Sequence, residues 1–162
     1  MGRPKSTEEK KPKNKKVFIE DVNLETLANK VITKNKLDYL EQVRIKYVLV
    51  DQYISKTTVA QCMKASSELK YFGKLDYILK FSKIVWDQIS DDAREIVLLH
   101  ELLHILLTTN KEGEIKTKIL DHDIKDFSTI ISKYGLDWFK TFKIQVSSIM
   151  DLEPNATDNI KV

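Results

Sequence analysis

Apolar side chains recur along this chain with two different spacings, and the spacings predict its elements. Leu24, Leu27, Val31, Leu37 and Leu40 fall at helical intervals and predict one or two helices over 23–43. The stretch 44–52, RIKYVLVDQ, centres on Tyr47, Val48, Leu49 and Val50 and predicts a strand. Residues 57–66 alternate loosely through Val59, Gln61 and Met63 and predict a second strand. Residues 74–82 alternate more cleanly. Leu75, Tyr77, Leu79 and Phe81 share one face, Asp76, Ile78 and Lys80 the other, and Gly73 sits in the turn before them. Three neighbouring strands predict a small sheet.

A different pattern follows. Ser90, Asp91 and Asp92 offer a cap side chain and negative charge to a helix N-terminus. The apolar run behind them predicts a helix over 91–108, stopping at Thr109-Asn110 or by Gly113. The polar stretch NKEGEIKTKILDHD predicts a loop. Ile124, Phe127, Ile130, Ile131 and Tyr134 form the apolar face of a helix over 123–135, with Asp123 as its cap and Gly135 as its stop. Trp138, Phe139 and Phe142 then supply packing surface, and residues 151–162 read as a frayed polar tail. The expected fold is α+β, a small, mainly antiparallel sheet packed on the helix 91–108 with helices before and after, in one domain over 17–150.

Composition adds bounds. A chain of 162 residues, 42% hydrophobic, fits one domain with a core of its own. No run approaches the roughly 20 apolar residues that span a bilayer, and the N-terminus lacks a secretory h-region, so a cytoplasmic protein without a membrane partner is expected. The single cysteine, Cys62, excludes an internal disulfide. The net charge of +3 is uneven. Residues 1–16 hold seven Lys/Arg against two Glu, and the rest of the chain holds 20 basic and 22 acidic residues. Those 16 residues, with Pro4 and Pro12 and almost no apolar side chains, predict a disordered basic tail. Either the tail only aids solubility, or it makes weak contact with nucleic-acid phosphates, with Arg3 and Lys5 in the Gly-Arg-Pro-Lys stretch as the contact residues.

The predicted helix 91–108 carries the chemistry. Its run VLLHELLHILL holds His100, Glu101 and His104 among leucines, and the two histidines, four residues apart, project from one face. Polar groups buried on so apolar a helix cost several kcal/mol unless something satisfies them, roughly 2–7 kcal/mol each. A Zn²⁺ ion does so, with two imidazoles as ligands and Glu101 as the general base that activates a water, which is the His-Glu-x-x-His logic of zinc peptidases. A catalytic zinc takes three protein ligands, and the one remaining histidine, His122, stands 18 residues after His104 at the start of the next predicted helix. Asp123 and Asp126 are its rivals as third ligand, or would orient a ligand histidine. Failing that, Asp123 is a helix cap and Asp126 a solvated helix position. Cys62, Tyr77, Tyr134, Trp86 and Trp138 read as packing residues, and Arg94 as a surface partner of Asp91 or Glu95.

The segments LDYILKFSKIVWDQISDDAREIVLLHELLHI and LDHDIKDFSTIISKYG together resemble the putative phage metallopeptidase family over about residues 44–142. Those zincin-like proteins of phages and prophages show a strand ending before a Trp, an acidic helix start and HEL-x-H. A later H-D-x-x-E-F segment follows, with a Gly after its helix. The resemblance implies His100, His104 and His122 as zinc ligands, Glu101 as base, a protein or peptide substrate, and a bacterial host cytoplasm. Asp123 and Phe127 match the later segment, whereas Asp126 stands where the family has Glu. In zincins a substrate peptide lies extended along the strand bordering the cleft, and residues 75–82 are the expected rim. A more distant similarity is to SprT-like proteases. The alternative to an enzyme is a non-catalytic module that zinc holds together.

Overall fold

The computed structural model describes residues 15–122, 127–151 and 160–162. In chain order the elements are β1 (Phe18–Ile19), α1 (Val22–Lys34), β2 (Ile45–Val50), β3 (Ala60–Lys64), α2 (Ser67–Phe72), β4 (Tyr77–Ser82), α3 (Lys83–Trp86), α4 (Asp91–Leu103), β5 (Ile105–Thr109), β6 (Ile115–Ile119), α5 (Ser128–Tyr134) and α6 (Trp138–Ile149). A 3-10 turn at Asp38–Gln42 joins α1 to β2. The fold is α+β, as expected. Among the described residues no helix is long and apolar enough to cross a membrane.

Local chemistry sets the helix ends. The Asp21 carboxylate accepts from the Asn23 N–H at the start of α1, and the Ser90 hydroxyl accepts from the Ala93 N–H at the start of α4. Helix α1 ends at Asn35, with Lys36 in the left-handed region and the Leu37 N–H donating back to the Ile32 carbonyl. Buried Leu37 then closes that turn against the core.

The main sheet runs β1-β2-β4-β3. Its outer pairings are antiparallel and its central pairing, β2 with β4, is parallel. Tyr77, Leu79 and Phe81 of β4 are fully buried, as their alternation requires of a core-facing row. Helix α4 packs beside β3, and α1 packs on α4 through Leu24, Ala28 and Val31. Lys30 and Lys34 of α1 reach Glu95 of α4 at 2.8 and 2.6 Å. Arg94 takes Asp91 at 3.0 Å and donates to the Trp86 carbonyl at 2.8 Å.

Several expectations are corrected. The predicted helix 91–108 stops at Leu103, and residues 105–109 form β5 instead. The stretch read as loop contains β6, paired antiparallel to β5 with Ile105 opposite Ile119 and Thr109 opposite Ile115. Asn110 organises the turn between them, its side-chain oxygen accepting from the Glu112 and Glu114 N–H groups, and Gly113 takes φ +82°. The third correction concerns the rim. β4 is paired on both sides, so its backbone is not available to a peptide, and the sheet edge beside α4 is β3. Residues 160–162, expected to fray, dock on the domain with Ile160 buried. Helix α5 begins at Ser128, later than the predicted 123, with Phe127 at its N-cap, and Gly135 ends it at φ +81° as expected. Arg3, Lys5, Asp123 and Asp126 lie outside the described residues.

Candidate metal centre

The switch from helix to strand at residue 104 builds the site. His100 lies on the last full turn of α4 and His104 caps its end, still in helical conformation, so their rings meet edge to face one turn apart with centroids at 5.1 Å. The chain leaves through β5, turns, and returns through β6. It is clasped where it arrives: the Leu120 N–H donates to the His104 carbonyl, and His104 Nδ1 meets the Leu120 carbonyl, both at 2.7 Å. Two residues later His122 reaches the other two imidazoles, with ring centroids 4.7 Å from His100 and 4.8 Å from His104. One nitrogen from each of the three histidines lies within 4.8 Å of the others. The structure thus brings together the three histidines that the sequence singles out.

The donor set fits a metal ion on two grounds. First, Nε2 of His122 and Nε2 of His100 are 2.8 Å apart. Two imidazole lone pairs at that distance repel unless a proton or a cation lies between them. A carbonyl accepting from His104 Nδ1–H also fixes the tautomer with Nε2 as the ligating atom, the arrangement by which ligand histidines are usually oriented. Second, Glu101 is 1% exposed, and its Oε1 has no hydrogen-bond partner. A buried carboxylate oxygen without a partner, on the residue next to a cluster histidine, calls for a further polar species near it. Burial pushes the Glu101 carboxyl up to about 8, partly offset by the Cys62 backbone N–H, which donates to it.

Three supports are not assigned to the site from sequence: the Cys62 N–H on Glu101, the Leu120 carbonyl on His104, and the Phe127 ring against the imidazoles. Phe127 stands edge-on to all three imidazoles, with centroids at 5.3, 4.9 and 5.1 Å. Cys62 itself is a half-buried sheet residue, as expected, with its thiol pushed up by burial and by the Glu101 charge. Tyr77 is core. Its hydroxyl lies 2.7 Å from the Lys118 carbonyl and 3.1 Å from that of Leu106, and so ties the β5–β6 hairpin to the main sheet.

A family model described as putative phage metallopeptidase matches residues 16–146. No curated protein and no solved structure matches the chain.

Proposed function

This chain belongs to the putative phage metallopeptidase family, and on that premise we propose that His100, His104 and His122 hold one zinc ion and that the protein hydrolyses peptide bonds. The observation that carries the reading is the three-imidazole cluster, with the buried carboxylate of Glu101 next in sequence to His100 and its Oε1 without a hydrogen-bond partner. An all-nitrogen set of three histidines favours zinc over the oxygen-seeking cations. When bound, such an ion acidifies water and polarises a carbonyl.

The chain's own residues supply the rest. His104 is held by Leu120 and cannot rotate out of the cluster without breaking that bond. Glu101 takes the Cys62 N–H on its carboxylate and keeps Oε1 without a hydrogen-bond partner. As general base it would take a proton from the attacking water at Oε1 and deliver it to the departing amine. Phe127 stands against all three rings and His100 is buried, which strengthens charge interactions on that side of the cluster. An extended peptide would lie along β3, the edge strand that also positions Glu101.

Glu101→Gln tests this directly. The variant is expected to keep its metal and its fold and to lose about 10²–10⁴-fold in cleavage of a quenched fluorescent peptide library. Undiminished turnover would remove Glu101 from the mechanism. Metal without turnover in the parent protein would leave a structural zinc module.

A further inference from the structure

The three-histidine centre faces a cavity of about 590 Å³. His100 and His122 form one wall, Phe139 and Lys143 of α6 another, and Ile160, Lys161 and Val162 the third. This last wall is made by backbone pairing. The Lys161 N–H donates to the Thr57 carbonyl at 2.7 Å, and the Lys161 carbonyl accepts from the Val59 N–H at 2.9 Å. Together they make a parallel bridge opposite Thr58. Ile160 is 3% exposed and packs into the core. Thr57–Val59 lead directly into β3, the edge strand whose Cys62 N–H holds Glu101. Residues 160–162 therefore make one parallel β-bridge beside the cavity that His100 and His122 line. Backbone bonds to an edge and an apolar side chain in a pocket are the two means by which an edge captures an extended peptide.

We propose that residues 160–162 are a tethered occupant of the peptide cleft, holding in cis part of the place an incoming chain takes, so that substrate must displace them. This rests on the peptidase reading of the site. An intramolecular competitor acts at an effective concentration on the order of millimolar, so it raises the apparent KM by one plus the ratio of that concentration to its own dissociation constant. Its effect falls on KM. The reacting groups are untouched, and kcat is unchanged once the cleft is filled.

Two variants test it: deletion of residues 160–162, and Lys161→Pro, which keeps Ile160 but removes the N–H that Thr57 accepts. Circular dichroism confirms the fold of each. In metal-free protein, modification of His100 by diethyl pyrocarbonate, mapped by mass spectrometry, is expected to be about tenfold faster in both variants. In metal-loaded protein, KM for library peptides is expected to fall by about tenfold at constant kcat. Unchanged His100 modification and unchanged KM in folded variants would overturn the proposal. Absence of hydrolysis in every form would count against the peptidase reading alone, and the His100 rates would still decide whether the strap covers the centre.

Discussion

Nδ1 of His104 faces the Leu120 carbonyl at 2.7 Å, and that one contact determines which nitrogen would ligate. Side chains elsewhere are fixed in the same way, by partners of definite polarity. Asp76, 7% exposed, is the clearest. Burial alone would raise its carboxyl. The Arg44 N–H and Nε at 3.0 Å, Nη2 at 3.3 Å and Lys70 at 3.5 Å outweigh that and hold it below the usual carboxylate range. A folded value below the unfolded one contributes stability above about pH 3.9 that is lost as pH falls through the folded value. Asp76→Asn is expected to destabilise the protein by about 1–3 kcal/mol at neutral pH. In urea melts the deficit should shrink as pH falls below about 4, and a constant deficit would contradict the assignment. At this scale the sequence is legible where the signal is a side chain at a fixed spacing. His100, Glu101 and His104 announce themselves. The Cys62 N–H and the Leu120 carbonyl do not, because every residue carries those groups and only the fold selects which are used.

At the scale of elements, the decisive event is the end of α4. Leu102, Leu103, Ile105, Leu106 and Leu107 suit a buried helix and a buried strand equally, so the run by itself predicts helix through 108. The partner decides. Ile115, Thr117 and Ile119 alternate with Lys116 and Lys118, and this period of two marks β6, which draws residues 105–109 into a hairpin. That alternation is present in the sequence, but the surrounding polar residues mask it. The hairpin delivers His122, and Tyr77 anchors the hairpin. Tyr77→Phe removes the hydroxyl donor and is expected to cost about 1–2 kcal/mol of stability. Metal affinity should fall by about 10–100-fold, measured by competition with a chromophoric chelator. A variant that loses stability but binds metal as before would show that the hairpin does not set the third histidine.

Across the whole molecule, the strand order β1-β2-β4-β3 places a parallel pair at the centre of the main sheet. Periodicity identifies the strands 45–50, 60–64 and 77–82 without ordering them, so residues 75–82 could be taken for a sheet edge, whereas the edge strand is β3. The docking of residues 160–162 is hidden for the same reason, since it depends on a pairing partner 103 residues earlier. A metal held by His100, His104 and His122 would tie α4 to the chain beyond β6, and so act on global stability. Saturating metal at about 100 times its Kd contributes about 2.7 kcal/mol. For a chain of this size a chelator should therefore lower Tm by roughly 5–10 °C, reversibly on adding zinc. A melting curve indifferent to chelator would mean that no such tie exists.

The most direct test of the central claim is the metal content of the purified chain, measured by elemental analysis beside His122→Ala. The three-histidine centre predicts about one zinc per chain in the parent and a reduced content or none in the variant. Protein prepared without chelator that carries no metal, or a variant that retains it in full, would contradict the centre described here.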